Sequence, residues 1–331
     1  MNRTWMRPLV AMLAAALLLA GTACGSDTKK DDSKATAFAD DPTPITGISP
    51  LPNYPVTAQR SDGKTLTVAQ APKRVISLSP GATEIIFALG AEKSLAAVDK
   101  YSDFPDGAKN FPEKLDAFEP NIEAIAALKP DLVIVASDTA GLVAKLDELK
   151  IPVYYADIDK DVRTIDDVFG QIRLLGQITD TDAKALDLIK SLSERVNKVE
   201  VSMQALPSQA APNVYHELDS TFFSASDNTF IGDIYRILKL KNIAGDGGGV
   251  EYPQLTQEAI IAANPRIIVL ADEAFGVTIE SVKARPGWGA ITAVQNNKIF
   301  AIDANIISRP GPRIVDALEQ LAKDVYPQRF E

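Results

Sequence analysis

The chain has 331 residues, 46% of them apolar, which is enough for two domains with separate cores. Its formal net charge is −10. An acidic surface excludes nucleic acid as a partner, since phosphate binding needs cationic patches, and it disfavours loose binding to anionic lipid.

The N-terminal residues 1–23 have the features of a secretory signal peptide. Two basic residues, Arg3 and Arg7, precede an apolar stretch (residues 9–20), and small residues stand before Cys24. The apolar stretch is too short for a transmembrane span. Because Cys24 is the only cysteine, no internal disulfide can form.

A lone cysteine directly after small residues resembles a bacterial lipobox. The resemblance implies that Cys24 is lipidated and becomes the mature N-terminus, and the alternative is ordinary cleavage that leaves a free thiol. Residues 24–55 are rich in Asp, Lys, Ser, Thr and Pro and have few large apolar side chains. This composition predicts a lipidated, disordered tether between the membrane and the first domain.

The region 56–163 predicts an N-terminal α/β lobe. Residues 56–68 alternate around an Asp62-Gly63 turn, which is typical of a hairpin. Ser79 and Pro80 supply an N-cap and a first helical position. Strands and helices then alternate, which favours a mostly parallel sheet. Strands are expected at 74–78, 95–98, 132–135 and 153–156, and helices at 81–89 and 139–149.

Residues 164–207 predict a helical connector. Apolar residues recur at helical spacing, with a break at 180–182. The second part, 181–205, is expected to be one helix on the order of 35 Å long. Such a helix between two lobes would be a stiff rod, which predicts small closure of the lobes rather than a wide hinge.

The region 208–331 predicts a C-terminal α/β lobe by the same alternation. Strands are expected at 214–218, 267–270 and 298–302, and helices at 230–238 and 312–325. The glycine cluster at 245–249 lacks the Lys-Ser/Thr of a phosphate-binding loop and predicts a turn.

One segment occurs twice in the chain. Residues 121–130 and 256–265 share five of ten positions, including Glu123 and Glu258, and each runs from a helix into a buried strand. The helix dipole alone favours glutamate near a helix N-terminus. The matched pair, one in each of two similar lobes, favours paired docking onto arginines of a partner.

Aromatic residues precede both repeat helices and are candidates for ligand contact. Phe118 and Tyr252 lie in loops of the kind that line ligand crevices in α/β sheets. Aromatic faces from two lobes suit a large, flat, apolar ligand, and the alternative is that both rings are lobe packing.

The loop after the last predicted strand carries polar candidates. Asp303, Asn305 and Arg309 are expected to contact amides or carboxylates of a ligand. Arg313 lies on the same loop, and the alternative for it is that it begins the last helix and pairs locally. His216 is the only histidine, so a zinc or manganese site and a Ser-His-Asp triad are both excluded. No nucleophile elbow is present, and we expect neither a catalytic residue nor an enzyme. His216 and Trp288 are expected to be structural.

Several of these stretches together are similar to one family. Residues 72–84, 101–105, 121–130, 252–254 and 309–313 resemble the cobalamin and iron-siderophore class of ABC-transporter substrate-binding proteins, and the resemblance runs from about residue 56 to the end. It implies a class III fold, in which two Rossmann-like α/β lobes are joined by a single long α-helix and the ligand lies between them. It also implies that Glu123 and Glu258 meet arginines of a permease that works with an ATPase.

The resemblance can be carried over to single residues. Tyr101 matches the family tyrosine of a Tyr-Ser-Asp-aromatic-Pro motif, and Phe118 and Tyr252 stand where the cobalamin-binding side of the family has tryptophans. Asp303 and Arg309 stand near its acid and arginine, with Asn305 as an alternative to Asp303 because the spacing is longer.

The resemblance implies an extracytoplasmic protein, lipid-anchored to the cell membrane, that captures cobalamin or a related corrinoid. The alternative within the class is a ferric siderophore or haem, whose iron Tyr101 or His216 would bind. No cofactor is expected, although the ligand can carry cobalt or iron. Alternatives from other classes are an exported enzyme acting on a tetrapyrrole-like substrate and a signalling receptor without a transporter.

Overall fold

The computed structural model describes residues 54–204, 206 and 211–330. The predictions for the signal peptide, Cys24 and the tether up to residue 53 therefore lie outside the described residues. Within the described residues, an antiparallel hairpin and two parallel sheets are present.

The hairpin opens the described chain as predicted. Its strands, β1 (Val56–Gln59) and β2 (Thr65–Val68), pair antiparallel, and every second side chain is buried. Gly63 has φ +80°, which the turn requires and which glycine adopts without strain.

The first lobe is built on a five-stranded parallel sheet. Its strands are β3 (Val75–Leu78), β4 (Leu95–Asp99), β5 (Lys114–Leu115), β6 (Leu132–Val135) and β7 (Val153–Tyr155). Its helices are α1 (Pro80–Ala88), α2 (Asp106–Lys109), α3 (Ile122–Ala127), α4 (Leu142–Glu148) and α5 (Ile158–Asp161). The Ser79 side chain caps α1 by accepting from the Ala82 amide, as predicted. The spatial order β5-β4-β3-β6-β7 reverses between β3 and β6. In open α/β sheets, ligands bind at the carboxyl ends of the strands beside such a reversal.

The second lobe has a four-stranded parallel sheet. Its strands are β8 (Asn213–Glu217), β9 (Lys241–Asn242), β10 (Ile267–Leu270) and β11 (Ile299–Ala301), in the order β11-β10-β8-β9. The reversal here lies between β8 and β10. Its helices are α8 (Phe230–Ile237), α9 (Gln257–Ala263), α10 (Ile279–Lys283), α11 (Thr292–Gln295), α12 (Ala304–Ile307) and α13 (Ile314–Val325).

Two helices join the lobes, α6 (Ile165–Ile178) and α7 (Asp182–Gln204). The predicted break is confirmed, because Asp180 has φ +59° between them. The long helix α7 leads from the first lobe to the second, as expected, but it is not a free rod. It folds back along α6 so closely that a Cβ added to Gly176 would lie 2.4 Å from the Cβ of Ala185.

The largest hydrophobic core belongs to both lobes. It contains Val75 and Ile85 of the first lobe, Ile172 and Leu192 of the joining helices and Leu318 of the second lobe. Each sheet has a smaller core on its other face, formed with α3 and α4 in the first lobe and with α9 and α10 in the second. The two sheets are therefore attached to one buried helical layer, whose members are α1, α6, α7, α8 and α13.

The sequence repeat is also a structural repeat. Asn121 caps α3 and Thr256 caps α9, and each side chain accepts from the amide three residues on. Lys129 and Asn264 then adopt positive φ before a proline. The strands that follow occupy equivalent places in their sheets. Strand β6 lies between β3 and β7, and β10 lies between β8 and β11, so each pairs with the first and the last strand of its sheet in chain order. The ten-residue similarity thus marks equivalent helix–strand units.

Candidate ligand-binding site

The loops at the carboxyl ends of both sheets carry the residues that the sequence singled out. In a parallel sheet these ends share one edge, and the reversals in strand order lie there in both lobes. Tyr101 and Phe118 follow β4 and β5, Tyr252 follows β9, and Asp303 begins the loop after β11.

Tyr101 and Phe118 form an aromatic pair on the first lobe. Their ring centroids are 5.5 Å apart at 73°, an edge-to-face contact, and their exposures are 46% and 65%. Packing within the lobe therefore does not account for Phe118. The two rings present a partly exposed apolar surface at the sheet edge.

A buried carboxylate holds these two aromatic loops together. Asp99, at the end of β4, accepts from the Tyr101 amide at 3.0 Å and from the Ala117 amide at 3.2 Å. Burial raises the pKa of Asp99, and the two amides oppose the rise. Asp116 accepts from the Phe118 amide and pairs with Lys100, whose ammonium lies 4.9 Å from the Tyr101 ring centre.

Tyr252 differs from Phe118 in its surroundings. It is half-buried and packs against the large shared core. Burial raises the pKa of its phenol. Tyr252 therefore contributes to packing, unlike Phe118, and its contact with a ligand stays a prediction.

Three exposed aromatics on the same loops were not singled out from the sequence. Phe104 follows β4, Phe223 follows β8, and Phe275, which is 80% exposed, follows β10. Exposed apolar rings carry no periodic signal, and only Phe104 lay within a recognised motif. With Tyr101 and Phe118 they give both lobes an apolar rim.

Polar side chains from both lobes meet in one cluster, which we call the polar quartet: Glu84, Asp103, Arg309 and Arg313. Arg313 donates to both carboxylate oxygens of Glu84, at 2.5 and 3.0 Å. Arg309 pairs with Asp103 and lies 4.0 Å from Glu84. Burial raises the pKa of Glu84, and the Arg313 guanidinium opposes the rise.

The ion pair of Arg313 is not local, so the alternative interpretation of this residue is wrong. Its partner Glu84 lies on α1 of the first lobe, 229 residues away in sequence. The guanidinium carbon of Arg313 also lies 3.9 Å from the ring centre of Phe104. A Cβ added to Gly81 would lie 2.7 Å from the Pro310 carbonyl oxygen, so the loop of the second lobe rests directly on α1.

The two remaining polar candidates, Asn305 and Asp303, differ in what they contact. The Asn305 side chain accepts from Arg309, so these two residues are brought together. Asp303 is exposed and caps α12 by accepting from the Asn305 amide at 2.8 Å. Its contact in the structure is therefore to backbone.

The two repeat glutamates occupy the same helical position. Glu123 and Glu258 are each the second residue of their helix, α3 and α9, and both are exposed. Helices that connect parallel strands run antiparallel to them, so these N-termini lie at the carboxyl edge of each sheet. Within the described residues neither glutamate forms an ion pair.

A cavity of about 340 Å³ lies elsewhere, between the hairpin and α6. It is lined by Arg60, Asp161, Asp166 and Gln171, among others. None of the predicted ligand residues lines it.

Comparison with known proteins identifies the family. The model of a family described as periplasmic binding protein matches residues 75–306. The chain belongs to this periplasmic binding protein family. It is therefore an ABC-type substrate-binding protein of the class that includes vitamin B12-, siderophore- and haem-binding members, and its fold is the class III fold expected from the sequence.

Three relatives illustrate the match. The uncharacterized ABC transporter substrate-binding lipoprotein YvrC of Bacillus subtilis is 29% identical over 97% of both chains. The structure of a possible iron-binding protein from Staphylococcus epidermidis is 30% identical, with a TM-score of 0.66 over 78% of this chain and all of that one. The vitamin B12-binding protein of Vibrio cholerae is 26% identical, with a TM-score of 0.66 over 77% of this chain and 96% of that one.

Proteins of this family bind small molecules for an importer made of a permease and an ATPase, and the family is one of transport proteins rather than enzymes. No helix in the described ranges combines the length and the apolar character needed to cross a membrane.

His216 lies on strand β8, inside the second lobe, and not on a loop. Its side chain is fully buried, and its Nδ1 lies 2.6 Å from the Tyr235 hydroxyl. Burial lowers the pKa of this imidazole to about 3. His216 therefore has the structural role expected from the sequence. Of the two candidates for binding iron, only Tyr101 is exposed. Trp288 is likewise fully buried, stacked 6.1 Å from Phe222.

A second buried carboxylate group lies under the rim of the second lobe. Glu217 ends β8 and makes a bidentate pair with Arg285 at 2.5 and 2.6 Å. Asp272, just after β10, is fully buried, and its oxygens have no hydrogen-bond partner among the described residues. Burial, and then the charge of Glu217, raise the pKa of Asp272 to about 7.

Asp272 should make the protein less stable as pH rises. Its pKa rises from 3.8 to about 7 on folding, so between these values the folded state keeps a proton that the unfolded state has lost. Stability should fall by up to ~1.4 kcal/mol per pH unit through this window and then level off. In thermal unfolding from pH 4 to 8, Asp272→Asn should have a flatter profile than wild type.

The exposed neighbour Glu273 provides the control, because Glu273→Gln should keep the wild-type profile. Equal pH slopes for Asp272→Asn and wild type would show that Asp272 does not carry this proton.

Proposed function

We propose that this protein is the lipid-anchored receptor of an ABC importer and that it captures cobalamin or a related corrinoid. Its mechanism is capture between the lobes, modest closure and docking of the loaded form onto the permease. The continuous core beneath both lobes favours modest closure, since a wide hinge would have to separate packed helices.

The apolar rim is the observation that carries the proposal. Tyr101, Phe104 and Phe118 on the first lobe, with Phe223 and Phe275 on the second, are exposed large apolar side chains at the sheet edges. Exposed apolar clusters on soluble proteins mark binding surfaces. Rings on both lobes suit the two faces of a broad macrocycle.

The amide-rich edge of a corrinoid also suits the polar side chains of the cleft. Arg309 offers donors, and Asp103 and Asn305 offer acceptors, within one cluster. The vitamin B12-binding relative from Vibrio cholerae, similar over 96% of its length, supports the same ligand class.

A ferric siderophore or haem is the second candidate within the class. The exposed phenol of Tyr101 is a potential iron ligand, and the Staphylococcus epidermidis relative is described as a possible iron-binding protein. An exported enzyme acting on a tetrapyrrole-like substrate would turn over bound cobalamin, whereas a receptor releases it unchanged. A signalling receptor would bind without supporting transport.

The ligand class can be tested by absorption spectroscopy. Purified protein is mixed in turn with cobalamin, haem and a ferric siderophore, and unbound compound is removed by gel filtration. The cobalamin spectrum should stay with the protein, and Tyr101→Ala with Phe118→Ala should weaken its binding by about tenfold or more, as loss of stacked aromatics does. Leu149→Ala, which removes an exposed apolar side chain outside the rim, should bind normally. Retention of haem or siderophore alone would overturn the corrinoid assignment.

Docking through the repeat glutamates can be tested in cells. Glu123→Lys combined with Glu258→Lys should abolish ligand uptake and leave ligand binding intact, because the charge that faces the permease is reversed outside the cleft. Glu280→Lys is the matched control, since Glu280 is also an exposed second residue of a helix but lies outside the repeat. Normal uptake by the double variant would refute the docking role.

Anchoring through Cys24 can be tested by fractionation. Cys24→Ser should move the protein from the membrane fraction to the soluble fraction, because a second cysteine is not available for lipidation. Binding by the released protein should be unchanged. Membrane association that persists in Cys24→Ser would mean that something other than a lipid on Cys24 holds the protein there.

A further inference from the structure

The polar quartet is balanced in charge without a ligand. Two guanidinium groups, Arg309 and Arg313, face two carboxylates, Glu84 and Asp103. Glu84 is 4% exposed, so its pairing with Arg313 is shielded from water. The Asp303 carboxylate also acts on Arg313, which leaves the cluster without excess positive charge.

Both guanidinium groups are already partly engaged, and each keeps N–H donors that make no hydrogen bond among the described residues. Arg313 donates to Glu84 and to the Asn305 carbonyl oxygen at 3.2 Å. Arg309 donates to the Asp103 carboxylate and to the Asn305 side chain. Asp103 belongs to the opposite lobe, and its side chain is 44% exposed whereas that of Arg309 is 14% exposed, so the carboxylate is the more accessible partner of the pair.

The other cations that reach the loops of the second lobe are already paired, since Arg163 lies 3.7 Å from Glu251 and Arg285 pairs with Glu217. Arg309 and Arg313 are the only basic residues in the stretches 218–229, 243–256, 271–278 and 302–313 that follow its strands. The same stretches hold seven acids: Asp219, Asp227, Asp246, Glu251, Asp272, Glu273 and Asp303. On the first lobe, Lys100 pairs with Asp116, and Lys114 donates to the Ser102 carbonyl.

An anionic ligand that bound Arg309 would therefore place its charge beside the Asp103 carboxylate, whether or not it displaced that carboxylate. A neutral amide can donate to Asp103 and accept from Arg309 while the pair stays intact. Specificity is a difference between two affinities, and like charge placed against the unwanted ligand is an efficient way to create it.

We propose that Asp103 determines specificity in this cleft, by selecting a macrocycle with neutral, amide-bearing side chains against one with carboxylates. This inference rests on the proposed function and narrows its ligand class. It concerns charge rather than ring type, so it can be tested separately from the corrinoid assignment.

The test uses ligand pairs that have the same shape and differ in charge. One pair is cobyrinic acid, a corrin with free carboxylates, and the same corrin with its side chains amidated. The other pair is haem and its dimethyl ester. Dissociation constants are measured by fluorescence titration for wild type and for Asp103→Asn. Wild type should bind the uncharged member of a pair at least about tenfold more tightly, and Asp103→Asn should reduce that ratio about tenfold.

Asp106→Asn is the matched control. Asp106 is exposed at the start of α2, three residues after Asp103, and its substitution changes the net charge equally without contacting Arg309. It should keep the wild-type ratio, and thermal unfolding of all three proteins checks that the fold is retained.

The outcomes separate the two proposals. If neither corrin binds, but wild type binds the haem ester more tightly than haem and Asp103→Asn reduces that preference, the corrinoid assignment fails and the role of Asp103 is supported. If the corrins bind but Asp103→Asn leaves their ratio unchanged, the role of Asp103 is refuted and the corrinoid assignment stands. The role of Asp103 is also refuted if wild type prefers the carboxylate member of a pair, or if the protein binds none of the macrocycles.

Discussion

A single hydrophobic core that crosses from one lobe to the other is the constraint on which the rest of the structure depends. Side chains of α1, α6, α7, α8 and α13 pack into it, and both parallel sheets rest on it. Protein interiors are as dense as organic crystals, so helices packed in this way do not slide freely. This packing favours a nearly fixed separation of the two sets of cleft loops, in line with the modest closure that we propose.

The residues around the cleft have two features that by themselves lower the stability of the fold: exposed aromatic rings and buried charges. Rings such as Phe118 and Phe275 stay exposed although burial would stabilise them. Charged groups such as Glu84 are buried, which is tolerated because Arg313 donates two hydrogen bonds to the carboxylate. The Glu84–Arg313 pair also ties the last loop of the second lobe to the first helix of the first lobe, so it adds a polar contact to the apolar attachment between them.

Local signals in the sequence predicted most of the regular structure. The Asp62-Gly63 turn, the Ser79 cap and the break near Asp180 each depend on neighbouring residues, and each appears in the structure. The repeat predicted two equivalent helix–strand units for the same reason. The strands β5 and β9 and the helices α2, α5, α10, α11 and α12 were not predicted, because two to five residues are too few to establish a period.

By itself, the sequence determined that the chain has two α/β halves, that α6 and α7 join them, and that Glu123 and Glu258 occupy equivalent helix N-termini, because turn, cap and periodicity signals act over a few residues. Only the tertiary structure decided which cleft side chains are exposed and which are paired. Tyr252 and Phe118 look alike in sequence, yet one packs on the core and the other faces solvent. Burial and charge pairing depend on groups that approach from both lobes, and no local pattern encodes that approach.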